Sequence, residues 1–163
     1  MAQYRHRNVP SPRNLDLQLL RIKSQYPAFR CVCSTRVRRV VVGPIQPSPI
    51  NDRYEVEVVF GRGITPKVRV LDPIPVPRPG TTKLPHVYAG NVLCLYTYEN
   101  GDYHYARDYV ADTIIPWTAE WLAHYEIWYA TGEWHGGGSQ CLADRTPSTL
   151  EEKQNGSNEG GHD

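Results

Sequence analysis

Between Asp72 and Pro85 the chain places five prolines, at positions 73, 75, 77, 79 and 85. Proline fixes φ and removes a backbone donor, so this run neither continues a helix nor pairs inside a sheet, and it favours extended polyproline geometry. The stretch therefore divides the chain into two structured parts and crosses the surface as an irregular strap. Each part has to be built from its own local elements.

Ahead of the strap, Ser11-Pro12 reads as a helix start, Ser11 as cap and Pro12 in the first turn. Leu15, Leu19, Ile22 and Tyr26 then recur at helical spacing until Pro27 ends the pattern. Four strand-like runs follow: Phe29–Ser34, Val37–Val42, Tyr54–Phe60 and a short one at Lys67–Leu71. In the third, Tyr54, Val56, Val58 and Phe60 occupy alternate positions, the period-2 mark of a strand with one buried face. Gly43-Pro44, Pro47-Ser48-Pro49 and Gly61-Arg62-Gly63 are expected to be turns or loops between them. This order predicts an antiparallel meander.

Beyond the strap comes His86-Val-Tyr-Ala-Gly-Asn-Val-Leu-Cys94, a short loop that opens on a histidine, turns at Gly90-Asn91 and presents one thiol between leucines. A loop carried on a rigid scaffold is where reacting groups tend to sit, which makes Cys94 a candidate nucleophile. A second helix is predicted from near Pro116, with Trp117, Trp121, Tyr125 and Trp128 at helical spacing as a core-facing stripe and Gly132 placed to end it. After Trp134 the Gly136-Gly-Gly138 run leads into a tail low in apolar residues. The expected organisation is a flexible arm over 1–11, one domain over 12–138 and a disordered tail over 139–163, and 163 residues suffice for one compact core.

The formal net charge of +1 conceals a polarity: residues 1–71 hold 13 basic and 4 acidic side chains, residues 72–163 hold 5 and 13. An asymmetry of that size fits a basic docking face for an acidic protein or a nucleic-acid backbone, as well as a plain solvated surface. No apolar run approaches the roughly 18 residues of a membrane span, and Met-Ala-Gln-Tyr-Arg-His-Arg has no signal-peptide core, so a cytoplasmic location with no membrane partner is expected. Cys31, Cys33, Cys94 and Cys141 lack zinc-site spacing, and Cys31-x-Cys33 should face one side of a strand as buried thiols. Neither a metal nor a cofactor is called for.

Helix, antiparallel meander, proline-rich crossing, lone-cysteine loop and aromatic helix, in that order, resemble the α+β fold of ubiquitin-conjugating (carrier) enzymes. Three segments sharpen the match: Pro66-Lys-Val-Arg-Val-Leu-Asp-Pro73; His86-x-Tyr88-x-Gly90-x-x-Leu93-Cys94-Leu-Tyr96; and Ile114-Ile-Pro-Trp117 through Tyr125-Glu126-x-Trp128 to Thr131-Gly132-x-Trp134. Together they resemble the ubiquitin-conjugating-enzyme-like proteins of bacterial antiphage islands, especially the stand-alone carrier of short CBASS (cyclic-oligonucleotide-based antiphage signalling) operons.

What the resemblance implies is acyl transfer. Cys94 would accept an activated C-terminal glycine as a thioester, and an amine would then take the acyl group as an amide. The implied donor is the C-terminus of the neighbouring cyclic-oligonucleotide synthase (CD-NTase), with a separate activating enzyme as a further partner docking on the basic face. The eukaryotic relatives carry His-Pro-Asn upstream of the cysteine, whereas this chain has His86-Val87-Tyr88. The oxyanion donor is therefore expected from Asn91, the Tyr88 hydroxyl or a backbone N–H near Cys94, and His86 is expected to support the loop. His104, ten residues past Cys94, is a candidate acceptor-side residue. Two other classes stay open: an inactive scaffold of the same fold that binds the synthase, and a nucleic-acid-binding module using the basic half. No phosphate loop, helix-turn-helix or RNA-binding motif supports the last.

Overall fold

The computed structural model describes residues 13–96 and 101–136. Helix α1 spans Leu15–Gln25, and strands β1 Arg30–Ser34, β2 Arg38–Ile45, β3 Tyr54–Gly61 and β4 Ile64–Asp72 follow as an antiparallel sheet in sequential order. The strap leads to a two-stranded hairpin, β5 Val87–Tyr88 and β6 Val92–Leu93, and α2 Ile114–Thr131 closes the described chain. The architecture is α+β. No helix is long and apolar enough to cross a membrane among the described residues.

The predicted meander is present, with β2, β3 and β4 longer than expected and β1 one residue shorter. Gly43-Pro44 is not a turn: both residues lie inside β2 and pair with Val56 and Glu55. Gly43 is there because the Phe29 ring and backbone lie where a Cβ would project, so only glycine lets β2 pass this close. At α1 the cap is Asn14, whose side-chain oxygen accepts from the Asp16 and Leu17 N–H groups. Ser11 and Pro12, expected to start the helix, lie outside the described residues, as does the tail expected over 139–163. Cys31 and Cys33 do not share a buried face, because a bulge between them breaks the alternation and leaves Cys33 exposed and Cys31 half-buried.

The core joins the inner face of the sheet (Val41, Val56, Val58, Phe60, Val68, Val70) to Leu15 and Ile22 of α1 and to Ile114, Ile115, Trp121, Leu122, Tyr125 and Trp128 of α2. Buried polar groups then fix how the helices sit. Gln18, 2% exposed, donates to the Asp108 carbonyl (3.1 Å) and accepts from the Val110 N–H (2.9 Å), so α1 is tied to the segment that enters α2. Arg21 pairs with Asp112 at 2.7 Å beside it. On α2, the Glu126 carboxylate accepts from the Asp52 N–H and the Tyr54 hydroxyl, each at 3.0 Å, which anchors the loop between β2 and β3.

The strap is held along α2 by two contacts. The Tyr125 hydroxyl accepts from the Val76 N–H (3.1 Å) and donates to its carbonyl (3.3 Å). The Arg78 Nε donates to the Tyr129 carbonyl at 3.0 Å, near Gly132, whose φ of 88° ends α2 in the left-handed conformation. The prolines thus give a chain with few donors to satisfy; of the remaining ones, the Val76 N–H bonds to Tyr125 of α2 and the Thr81 N–H donates to the Arg78 carbonyl within the strap.

Candidate active site

Cys94 directly follows β6, and the hairpin decides where it lies. The Cys94 N–H donates to the His86 carbonyl at 2.9 Å, extending the β5–β6 ladder by one rung. The Trp121 indole N–H, from the buried face of α2, donates to the same carbonyl at 3.1 Å. His86 has a φ of 52°, a left-handed conformation that costs a non-glycine residue energy unless its surroundings enforce it, and these two bonds to its carbonyl do so. Its ring stacks on Trp134, with centroids 4.8 Å apart and planes 23° from parallel. At the far end of the hairpin, Gly90 and Asn91 take φ of 76° and 57° to make the turn. Arg69 of β4 donates to the Gly90 carbonyl at 3.1 Å while it pairs with Glu57 of β3 at 3.2 Å. The hairpin is therefore pinned to the sheet at its tip and to α2 at its base.

The Tyr88 hydroxyl lies 3.3 Å from the Cys94 sulfur. Tyr88 pairs with Val92, two residues before Cys94, so this diagonal contact across the hairpin is set by strand register. Cys94, His86 and Tyr96 line a cleft of about 390 Å³ whose opposite wall is Trp117, Trp121 and His124 of α2, with Trp134 and Gly136 beyond it. Asp102 and Glu120 add carboxylates to this lining. Two buried polar atoms in these walls, His124 Nδ1 and Trp134 Nε1, have no hydrogen-bond partner.

Of the residues singled out in the sequence, the structure brings His86, Tyr88 and Cys94 together. Neither Tyr88 nor Asn91 is part of the cleft lining and both are exposed, but Tyr88 touches the Cys94 sulfur whereas Asn91 sits at the hairpin tip. The Cys94 N–H, one of the backbone donors in view for an oxyanion, is spent on the His86 carbonyl. His104 does not line this cleft. Its backbone N–H donates to the Asp108 carboxylate at 2.7 Å, its Nδ1 accepts from the Ala106 N–H at 3.3 Å, and its ring stacks on Tyr105. Nearby burial, with the Asp108 charge, pushes the Tyr103 hydroxyl up to about 12.

The cleft residues that the sequence reading did not take as site residues include His124, Glu120, Asp102 and Trp134, the last of which entered there only as part of a matching segment. The aromatic stripe was legible as core, and Trp121, Tyr125 and Trp128 are indeed buried. Helical spacing alone did not show that Trp117 and Trp121 also form one wall of the cleft.

Cys94 is held in a disulfide, whereas Cys31 and Cys33 are free thiols. Cys141 lies outside the described residues. A sulfur in a disulfide is not a nucleophile, so reduction has to precede chemistry at Cys94.

A helix, a sequential antiparallel sheet, a strap and a cysteine hairpin facing an aromatic helix define a protein like the ubiquitin-conjugating enzymes. The family model for the type II CBASS E2 protein matches residues 18–141, and the chain belongs to that family. It is thereby an E2-like component of a CBASS antiphage system, a conjugating-enzyme-like transferase by family. No curated protein matches it.

Proposed function

We propose that Cys94, once reduced, is the nucleophile of an acyl transfer in which the C-terminal glycine of a partner becomes a thioester and is then passed to an amine. The partner we favour is the cyclic-oligonucleotide synthase (CD-NTase) of the same CBASS system, with conjugation priming it for antiphage signalling. The observation that carries this reading is the seating of Cys94: a cysteine at the edge of a cleft, on a hairpin pinned at both ends, with a tyrosine hydroxyl 3.3 Å from its sulfur. Such fixed placement removes the orientational cost of bringing nucleophile and carbonyl together.

In the first step the thiolate attacks the activated glycine carbonyl, the carbonyl oxygen takes the negative charge, and the activating group leaves. The Tyr88 hydroxyl donates to that oxyanion, because an oxygen on the carbon bonded to sulfur lies within reach of a donor already beside the sulfur, and useful donors act at about 3 Å. Tyr88 takes this role over Asn91 because Asn91 is at the hairpin tip, and over the Cys94 N–H because that group is already bonded. His86 positions the loop through its carbonyl and its stack on Trp134. In the second step a carboxylate of the cleft takes one proton from the incoming ammonium, the neutral amine adds to the same carbonyl, and the departing thiolate takes the second nitrogen proton to become the free thiol. The Asp102 and Glu120 carboxylates attract the protonated amine into the cleft. His104, which borders a different pocket, has no part in this scheme.

The test is made in cells that carry the chain with its neighbouring genes. Wild type is expected to give a thiol-sensitive adduct of the summed mass with the synthase. Cys94→Ser should replace it with a thiol-resistant oxyester, and Cys94→Ala should abolish it. An adduct and a phage phenotype unaffected by Cys94→Ala would leave the scaffold reading in possession.

A further inference from the structure

We infer that Trp134 is a gate on the Cys94 cleft: its indole closes on the base of the cysteine hairpin, keeps water from an acyl group held there, and swings away to admit that group. The shielding role rests on the reading of Cys94 as the nucleophile; the motion does not.

Side-chain contacts alone seat the gate. Gly132, at φ 88°, ends α2, and the Glu133 N–H still donates to the Thr131 hydroxyl at 3.1 Å. Past Glu133, no backbone hydrogen bond holds residues 134–136 among the described residues. His135 pairs only with Glu133, two residues back at 3.6 Å, a local contact that ties the segment to nothing else. Trp134 itself is placed by its rings: the stack on His86 at 4.8 Å, and tilted contacts with Trp121 at 5.6 Å and His124 at 5.9 Å. Contacts of this kind are individually small, and they part without breaking any hydrogen-bonded element.

The closed position also leaves polar atoms unsatisfied. It buries Trp134 Nε1 and His124 Nδ1, and neither has a hydrogen-bond partner. Gly136 packs against both rings, since a Cβ there would come within 2.6 Å of Trp134 Nε1 and 3.0 Å of His124 Cδ2. A buried polar atom with no partner forfeits its bond to water, which opening restores. Ring burial therefore favours the closed gate while hydration favours the open one, and a segment balanced in this way opens locally, well below the cost of global unfolding. Trp121 is the contrast within the same wall. Its indole N–H is bonded to the His86 carbonyl at 3.1 Å, and the residue is 4% exposed.

The gate lies where it bears on the chemistry. Trp134 lines the cleft of Cys94 and stacks on His86, the residue whose carbonyl receives the Cys94 N–H. A thioester on the Cys94 sulfur has two competing fates. An amine turns it into an amide; water instead adds to the carbonyl, the carbon–sulfur bond breaks, the acyl group leaves as a carboxylic acid, and the sulfur takes a proton to become the thiol. A closed indole keeps water from the carbonyl and slows the second fate, while Asp102 and Glu120 in the lining still draw in an ammonium group.

The experiment uses the full chain, reduced and labelled with nitrogen-15, and reads solvent exchange of the indole N–H groups by NMR, with Trp134 assigned by the signal lost in Trp134→Phe. The Trp134 N–H should exchange at least about tenfold faster than the Trp121 N–H. Gly136→Ala, whose methyl displaces the closed indole, should speed exchange at Trp134 a further threefold or about that and leave Trp121 unchanged, which separates gate opening from unfolding. Charged by the synthase and freed of amines, Gly136→Ala should also lose its thioester to water at least about threefold faster than wild type. Equal exchange at Trp134 and Trp121, no response to Gly136→Ala, or equal hydrolysis of the two charged proteins overturns the proposal. Should neither protein form a thioester, the nucleophile reading fails and the shielding role with it, while the exchange rates still decide whether the gate opens.

Discussion

Tyr88 carries the sharpest claim at the scale of single residues, because its hydroxyl lies 3.3 Å from the Cys94 sulfur. Tyr88→Phe keeps the ring and removes that donor, so the rate of thioester formation is expected to drop by about 100-fold with the fold unchanged, the usual size of losing one oxyanion donor. A single-turnover charging assay with matched circular dichroism checks this, and an unaltered rate would remove Tyr88 from the mechanism. Gln18 gives the structural counterpart. Gln18→Leu fills similar space but strands the Val110 N–H and the Asp108 carbonyl, so urea unfolding should show a loss of about 2–3 kcal/mol. The loop that carries Cys94 was legible in the sequence from its neighbours, whereas the proposed preference for Tyr88 over Asn91 was not. That choice depends on hairpin register and on which backbone donors are already used, and both emerge only when β5 pairs with β6.

Elements set the precision of the site. The cysteine hairpin is a two-residue ladder, too short to hold its own geometry, and it borrows rigidity from Arg69 at the tip and Trp121 at the base. Arg69→Met should leave global stability nearly unchanged while the Cys94 amide exchanges faster and charging slows. Hydrogen exchange read at that amide separates this from general destabilisation. The sheet makes a different demand. Gly43→Val drives a side chain into Phe29 and is expected to cost about 1–3 kcal/mol in thermal or urea unfolding, as overpacking does. Gly43-Pro44 is also where sequence reading went astray. Glycine and proline together signal a turn, yet here tight packing under Phe29 keeps them within β2. The meander order and the end of α2 at Gly132 were readable because alternation and a left-handed cap are local signals. The cap of α1 is Asn14, three positions past the expected Ser11; serine and asparagine both cap well, and only geometry chooses between them.

For the whole molecule, charge has two uses. Four arginines of the basic first half are engaged in ion pairs: Arg21 with Asp112, Arg30 with Glu55, Arg39 with Asp16 and Arg69 with Glu57. Part of the sequence polarity therefore closes the fold instead of facing a partner. Two carboxylates link this to pH. The Arg107 guanidinium, against an opposing effect of burial, holds Asp108 below its ordinary value. Burial pushes Asp112 up, but Arg21 and Gln25 outweigh it and hold that carboxyl low as well. Groups depressed in the folded state add stability that is present above the ordinary carboxylate range and lost as pH falls through their folded values. Stability should accordingly be flat near neutrality and decline below about pH 4, and Asp112→Asn should lower stability at pH 7 more than at pH 2, so that its acid decline is shallower. Equal losses at both pH values would contradict the assignment.

The central claim is that the Cys94 sulfur receives a glycine C-terminus. The most direct measurement isolates the adduct formed with the synthase under reducing-agent-free conditions after prior reduction of Cys94, digests it, and reads the Cys94 peptide by mass spectrometry with and without hydroxylamine. The account predicts a Cys94 peptide carrying the partner's C-terminal residues through glycine, released by hydroxylamine as thioesters are. An adduct mapped to any other side chain, with Cys94 unmodified throughout the time course, would contradict it.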